Sequence, residues 1–364
     1  VAFRILALSG GGYLGLYSAR LLSRLEAAAG KPIAKCFDLM SGTSAGAIAA
    51  LALSLEIPAV EIEKIFIEHG PRIFPQIERP FREMKRTLAF LRSLMRPKYS
   101  DVVLRKAIAS LIDENQTLAS ARHRLALPIV NMTTGQIEVI KTPHLANWTH
   151  HASFKMIEVG LAAAAAPTYF PMAELSNSLY VDGAIFANAP DLVGVHEADY
   201  YLKTPIEEIE VLSIGTTTGN FSLPYSHGKN YGSARWLRGG RLFATIMSAQ
   251  QQLTGVVLRH HLGDRYLRVD TQRAPGLEYD LTFDGASEYG TKTILSLADH
   301  AFEEAMKRQR VVEMLRATAP TATFYPGLAR PSALLTSGGP EPGLDGLELP
   351  APARLAAPIE RAAD

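Results

Sequence analysis

The sequence predicts an α/β protein in three layers, a central, mostly parallel sheet flanked by helices, with a helical cap. Three observations predict it. Apolar runs of strand length alternate with longer helical patterns from residue 3 onward. Two of these strands run straight into glycine-rich corners that open helices, at Gly10 and at Gly42. A strand far downstream ends in Asp182-Gly183, and catalytic groups of open α/β sheets collect at strand ends.

The elements follow in order. Residues 3–8 form a strand, and Ser9-Gly10-Gly11-Gly12-Tyr13-Leu14-Gly15 follows it. Leu16, Leu21, Leu22 and Leu25 recur at helical spacing until Gly30-Lys31-Pro32 ends the helix. A second strand at 36–40 leads to Gly42-Thr-Ser44-Ala-Gly46 and an alanine-rich helix. This strand–helix–strand opening makes the first two strands parallel neighbours with a right-handed crossover. Residues 58–125 read as mostly helical and form the cap. Within them, Arg79 to Lys98 carries seven basic residues against the single acid Glu83, and Phe81, Met84, Leu88, Leu91 and Met95 mark one helical face. Such a helix suits an anionic membrane surface, or packs on the body with its arginines solvated.

Residues 125–130 and 137–140 are strands joined by a Thr-Thr-Gly-Gln hairpin, and 153–166 is a helix ending in five alanines. Strands follow at 179–182, 209–215 and 266–270, with long helices at 241–262 and 288–316. From Pro320 the composition turns to Pro, Ala, Gly and Leu without periodicity. The expected organisation is one α/β domain over 1–318, with the cap at 58–125 inserted in it, and an irregular tail over 319–364.

Bulk composition narrows the function. The 364 residues carry 37 Lys+Arg against 36 Asp+Glu, so a net charge of +1 gives no global attraction to DNA or RNA. The one cysteine, Cys36, excludes an intramolecular disulfide, and its place before an apolar strand predicts a buried, inert thiol. The opening apolar run is too short for a secretory signal and no window reaches the length of a membrane span, so a cytoplasmic protein is expected. His150-His151 and His260-His261 are adjacent pairs that make poor chelates, and no zinc-like spacing occurs, so the histidines give no sign of a metal site.

Ser44 has two readings. It caps the helix behind it, as serines between packing glycines do. Alternatively, the tight turn pushes its hydroxyl out of the sheet beside unpaired helix N–H groups, which is the geometry of an activated nucleophile. The first glycine run also has two readings. Gly10-Xaa-Gly12-Xaa-Xaa-Gly15 matches a dinucleotide fingerprint, with Asp38 near the place of a ribose-binding acid. It matches equally a nest of N–H donors for an oxyanion, and the serine corner after Asp38 favours that reading.

Three motifs stand in one order: Gly10-Gly-Gly-Tyr-Leu-Gly15, Gly42-Thr-Ser-Ala-Gly46 and Asp182-Gly183-Ala184. With Ala165-Ala-Pro-Thr-Tyr-Phe-Pro171 and Leu212-Ser-Ile-Gly215, they resemble the patatin-like phospholipase family over residues 3 to 300. The resemblance implies a Ser–Asp dyad at Ser44 and Asp182, an oxyanion loop at Gly10, Gly11 and Gly12, and hydrolysis of lipid acyl esters without a cofactor. The family often has arginine before the last glycine of the first motif, and Leu14 stands there instead. An arginine from elsewhere, or backbone amides alone, must then stabilise the oxyanion.

In length and layout the chain is also similar to bacterial patatin-like effectors of cyclic-oligonucleotide antiphage signalling. That likeness implies activation by a cyclic dinucleotide and attack on the cell's own phospholipids at the inner face of the membrane. Lys229, Arg235, Arg238 and Arg241 would supply charge for such a ligand, and Tyr231 and Trp236 would supply stacking surfaces. The same stretch also reads as a glycine-rich surface loop. Two alternatives stay open: an ordinary α/β-hydrolase with a Ser-Asp-His triad, drawing on a histidine after Asp182, and a lipid- or nucleotide-binding protein without turnover. The oligomeric state is open too, a homo-oligomer included.

Overall fold

A computed structural model describes residues 2–75, 96–217, 221–223, 225–237, 240–272 and 281–325. All belong to the unit Val1–Gly327. The strands are β1 Phe3–Leu8, β2 Leu39–Gly42, β3 Arg124–Asn131, β4 Gln136–Lys141, β5 Ala173–Leu175, β6 Ser178–Asp182, β7 Ile209–Ile214 and β8 Tyr266–Val269. The helices are α1 Gly15–Ala29, α2 Ala45–Ser54, α3 Ala59–Ile73, α4 Asp101–Ala109, α5 Met156–Ala163, α6 Ala184–Ala187, α7 Asp191–His196, α8 Ser233–Leu237, α9 Arg241–Leu262, α10 Glu288–Met306 and α11 Gln309–Arg316.

One sheet runs β5-β6-β3-β2-β1-β7-β8, and β4 also pairs with β3. The pairs β1–β2, β1–β7, β2–β3 and β7–β8 are parallel, whereas β4, β5 and β6 join antiparallel. Alternate residues of the strands enter two separate cores. Leu6, Leu8, Met40, Leu125, Leu127, Leu212 and Ile214 pack with α1, α2, α5, α10 and α11. Ile5, Ala7, Leu39, Ala126 and Val211 pack with α7 and the end of α9. A parallel sheet covered on both faces reads as a run of apolar residues rather than an alternation, which is why Ile-Leu-Ala-Leu of β1 looked continuous. The three layers are as the sequence predicts.

β3 has two edges and three partners. β4 lies against Ala126 to Asn131 on one edge, so β2 and β6 both take the other edge. β2 runs parallel to β3 and pairs Ser41 with Ala126; β6 runs antiparallel and pairs Asp182 with Ile129. The two strands therefore approach each other end to end, with only Leu127 and Pro128 between them. The approach is close: a Cβ on Gly183 would lie 2.1 Å from the Pro128 carbonyl oxygen.

Some boundaries differ from expectation. The second strand starts at Leu39, because Ile33–Cys36 forms a 3-10 turn first. The predicted helix over 153–166 is shorter, Met156–Ala163, and the last alanines turn away. The long helix over 288–316 breaks at Arg308, which leaves the helical region (ψ 110) and whose guanidinium donates to the Arg268 carbonyl at 2.9 Å. The basic face at 79–98 falls largely on residues 76–95, outside the described residues, and so does the tail from 326. Ala319 to Tyr325, expected to be tail, is irregular but tied to the body: the Ala319 N–H donates to the Lys35 carbonyl and the Tyr325 N–H to that of Pro143, each at 2.8 Å. Cys36 is fully buried, its thiol donates to the Leu315 carbonyl, and burial pushes its pKa up.

His150 and His151 do not point apart as adjacent residues in a strand would. Their rings pack edge to face with centroids 4.0 Å apart, beside Trp148. Nearby, β4 is anchored by a buried network: Lys141 Nζ donates to Glu197 Oε2 at 2.7 Å, and His144 Nε2 shares a hydrogen bond of 3.0 Å with Glu197 Oε1. Removing the carboxylate would leave a buried ammonium uncompensated. Glu197→Ala is expected to cost about 3–5 kcal/mol of stability, read from urea denaturation.

Candidate active site

Ser44 joins β2 to α2 in a conformation that side chains rarely adopt, φ 54 and ψ −125. A capping serine has an extended backbone and bonds to a helix N–H; Ser44 does neither, so the helix-cap reading fails. The strain is imposed by packing. A Cβ on Gly42 would lie 2.5 Å from the Gly46 carbonyl oxygen, and one on Gly46 would lie 2.3 Å from that of Leu8. Backbone thus lies directly on backbone, and the chain can pass only by twisting Ser44 outward. Strain of this kind persists only where the surroundings over-determine it.

Asp182 ends β6 and faces that corner. It is fully buried; its N–H donates to the Ala165 carbonyl at 3.1 Å, and its Oδ1 accepts from the Ala184 N–H at 2.8 Å. Among the described residues Oδ2 has no hydrogen bond of standard geometry. The Ser44 hydroxyl is nonetheless near enough to favour the carboxylate. Burial is the larger influence and pushes the Asp182 pKa up to about 7, against the opposing pull of Ser44 and the Ala184 N–H. A buried carboxyl with a raised pKa therefore faces a strained serine.

The glycine loop lies alongside. A Cβ on Gly10 would sit 3.0 Å from Ser44 Cβ. The Gly10 N–H is committed to the Asn188 carbonyl at 2.9 Å, so Gly10 is not an oxyanion donor, contrary to the sequence reading. The Gly10 carbonyl accepts from Thr216 Oγ1 at 2.8 Å and from Asn188 Nδ2 at 3.3 Å. In a planar trans peptide this points the following N–H, that of Gly11, the opposite way. The amides of Gly11, Gly12 and Ala45 make no hydrogen bond among the described residues, and they form the available donor set. Leu14 is buried in the core. A guanidinium does reach the start of the loop: Arg268, paired with Asp270 at 2.7 Å, donates to Ser213 Oγ at 2.8 Å and Ser9 Oγ at 3.3 Å.

Beside Ser44 opens an apolar cavity with about 670 Å³ of empty space, part of it open to solvent. Its walls come from α3 (Ile62, Phe66, Ile73), α4 (Leu104, Ala107, Ile108), Phe170 and Phe283, with Ser44 and Gly12 at one side. A long hydrocarbon chain would find no polar partner in it and need none.

The two rival readings fail on geometry. Among the described residues no hydrogen bond joins a histidine to Ser44 or Asp182, so the Ser-Asp-His triad is not assembled; His196 stacks on Tyr200 instead. Asp38 precedes β2, at the opposite end from the glycine loop, and its Oδ2 accepts from the Arg4 N–H at 2.9 Å. A ribose-binding acid belongs at the carboxyl end of the second strand.

The family model described as patatin-like phospholipase matches residues 6–193. The chain belongs to the patatin-like phospholipase family. As a member it is an enzyme, a carboxylic ester hydrolase acting on phospholipids. It is 37% identical over 306 residues, covering 84% of this chain and 89% of the relative, to a cGAMP-activated phospholipase of Pseudomonas aeruginosa. It is 31% identical to a protein of the same name from Vibrio cholerae, covering 87% and 95% of the two chains. A cUMP-AMP-activated phospholipase of Escherichia coli is 26% identical over 58% of this chain and 64% of its own.

The remaining motif residues of this patatin-like chain act through contact. Gly15 admits Ala45 and Phe66, where a Cβ would be 2.8 Å from each, and Gly183 and Ala184 turn the chain after Asp182. Of the residues predicted to hold a nucleotide, Tyr231, Arg235, Trp236 and Arg241 come together. The Tyr231 and Trp236 rings meet at 5.5 Å, and the guanidinium groups of Arg235 and Arg241 lie 5.5 and 5.8 Å from the Tyr231 centroid. Lys229 is exposed nearby, and Arg238 lies outside the described residues. Sequence reasoning missed Thr216 and Phe283 altogether and gave Asn188 no role. Only Asn188 stood within reach, six residues after Asp182.

The raised Asp182 pKa has consequences of definite sign. Between its ordinary value of 3.8 and about 7, the folded protein holds a proton that the unfolded chain releases. Stability therefore falls as pH rises through that window, by up to about 1.4 kcal/mol per unit. Asp182→Asn is expected to be more stable than wild type at pH 8, by about 2 kcal/mol or more, and equal to it at pH 4 in denaturant titrations. Wild-type kcat/KM for a soluble ester should rise with pH through about 7 and then level, as the base ionises.

Proposed function

We propose that this phospholipase is a phospholipase A-type acyl hydrolase that uses Ser44 as nucleophile and Asp182 as its only base. The observation that carries the reading is the buried Asp182 carboxyl beside the strained Ser44, its Oδ2 without a hydrogen bond of standard geometry among the described residues, at the wall of an apolar cavity. A serine hydroxyl is a weak nucleophile until a base takes its proton. Asp182 accepts that proton as Ser44 Oγ bonds to the acyl carbon, while the carbonyl oxygen becomes an oxyanion facing the amides of Gly11, Gly12 and Ala45. Collapse breaks the ester bond, and the leaving alkoxide of the lysophospholipid takes the proton back from Asp182. Water then attacks the acyl-enzyme and gives its proton to Asp182, which passes it to Ser44 Oγ as the acyl–Oγ bond breaks and the fatty acid leaves. A base with a pKa of about 7 suits this double duty near neutral pH.

The acyl chain occupies the cavity between α3, α4 and Phe170. Ala107→Trp fills it and is expected to lower kcat/KM for a sixteen-carbon ester about tenfold or more relative to a four-carbon ester. An unchanged ratio would place the chain elsewhere.

Activation by a cyclic dinucleotide is the second part of the proposal. It is supported by the relatives named for cGAMP and by the Tyr231–Trp236 pair with its two guanidinium groups. Among the described residues no ion pair joins Arg235 or Arg241 to a carboxylate, which leaves their charge for phosphate. The setting is then cytoplasmic, at the inner face of the membrane, where the enzyme degrades phospholipids in antiphage defence. The test is hydrolysis of phosphatidylglycerol vesicles by wild type and Ser44→Ala, with cGAMP, cUMP-AMP or no nucleotide. Stimulated hydrolysis in wild type and none in Ser44→Ala is expected; wild-type hydrolysis indifferent to every nucleotide would remove the activation and keep the hydrolase. Arg241→Ala should raise the nucleotide concentration for half-maximal activation by about tenfold or more, the loss of one charge-assisted bond.

A further inference from the structure

The amides of Gly11 and Gly12, which make no hydrogen bond among the described residues, are bracketed by backbone hydrogen bonds. Upstream, the Gly10 N–H donates to the Asn188 carbonyl at 2.9 Å; downstream, the Tyr13 N–H donates to the Phe283 carbonyl at 2.8 Å. Phe283 also bears on the loop directly. Gly12 sits at φ 56, and a Cβ there would lie 2.4 Å from the Phe283 carbonyl oxygen and 2.7 Å from its ring. That ring lines the cavity onto which Ser44 opens.

Phe283 is in turn held by its neighbour. The Asp284 carboxylate accepts from Lys98 Nζ, from the Tyr99 hydroxyl at 2.7 Å and from Thr282 Oγ1 at 3.3 Å. Lys98 and Tyr99 are themselves fixed, since their N–H groups donate to the carbonyls of Thr168 and Tyr169 at 3.0 and 2.8 Å. The Tyr99 ring packs against Phe74 and Phe170, two walls of the cavity. Burial alone would raise the Asp284 carboxyl, but Lys98 and Tyr99 outweigh it and hold the group ionised below the usual carboxylate range.

We infer that Asp284, clamped by Lys98 and Tyr99, is a positioning residue for the oxyanion loop, acting through the Phe283 carbonyl on Gly12 and Tyr13. This rests on the hydrolase reading and adds the device that sets its donor geometry. Oxyanion donors act only where the developing charge will be, and losing one costs about a hundredfold to a thousandfold in rate. A loop freed at its downstream end misplaces the Gly12 amide first. The loss then falls on the tetrahedral transition state rather than on substrate binding.

The experiment uses the full chain, a soluble p-nitrophenyl butyrate substrate and a fluorophosphonate that labels Ser44. Asp284→Ala is expected to lower kcat about tenfold or more with KM changed about twofold or less, and to slow labelling in proportion. The midpoint of the pH profile set by Asp182 should stay where it is in wild type, which a general loosening of the site would not allow. Asp284→Asn keeps an acceptor for Tyr99 and should recover part of kcat. Tyr99→Phe removes one hydrogen bond and, should Asp284→Ala not fold, reads the same effect as a kcat loss of about two- to tenfold. A loss confined to KM would overturn the inference and make Phe283 a wall of the cavity only; unchanged kcat in Asp284→Ala and Tyr99→Phe would overturn it outright. Wild type that neither hydrolyses the ester nor labels at Ser44 would instead defeat the hydrolase reading.

Discussion

β2 and β6 share one edge of β3, one parallel to it and one antiparallel, so their carboxyl ends are driven together over the two residues Leu127 and Pro128. Neither strand can lengthen without running into the other. The chain of β2 must leave the sheet at Gly42, and that of β6 must leave it at Gly183; the residues at the two exits are Ser44 and Asp182. Hydroxyls of Ser41 in β2 and of Thr43 just after it then reach the segment after β6. Thr43 Oγ1 donates to the Ala187 carbonyl at 2.6 Å, and Ser41 Oγ to that of Pro190 at 3.1 Å. That same segment carries Asn188, which holds the glycine loop. One topological collision thus brings Ser44, Asp182 and the glycine loop to a single place.

The collision also explains the electrostatics. Asp182 meets the serine corner in the interior of the sheet, where solvent cannot follow, and a carboxylate without a counter-ion is costly there. The protein offsets part of the cost with the Ser44 hydroxyl and the Ala184 N–H, and the burial still prevails. A fold selected only for stability would place an amide or an apolar side chain at this position. Keeping the acid means accepting less stability at neutral pH.

Much of this was legible in the sequence because it depends on residue types that backbone proximity dictates. Glycines at 42, 46 and 183 were readable, since only glycine tolerates another chain at 2.1 to 2.5 Å from its Cβ position. The parallel strands were readable from unbroken apolar runs, and Asp182 from its place at a strand end. Which glycine amide is available was not readable, because that is settled by an acceptor 178 residues away at Asn188. The cavity was hidden for a similar reason. Ile62, Phe66, Leu104 and Ala107 have ordinary helical spacing, and nothing in their pattern says that their shared face encloses a space rather than filling one. The helix boundary at Arg308 coincides with a tertiary hydrogen bond that propensity does not encode.

Leu14 leaves the loop dependent on its neighbours. An arginine at that position would carry its own charge to the loop; leucine instead joins the core and carries none. The loop is therefore set from outside, by residues distant in sequence. Asn188 and Thr216 hold its first peptide, and Phe283 its last; Arg268 lies beneath Ser9. A loop fixed by its surroundings is sensitive to whatever moves them. The Phe283 ring belongs to an aromatic cluster with Tyr169 and Phe243, at centroid distances of 4.9 and 6.1 Å. Phe243 lies in the first turn of α9, two residues after Arg241. A single ring contact thereby joins the start of α9 to Phe283, whose carbonyl accepts from the Tyr13 N–H at the end of the glycine loop.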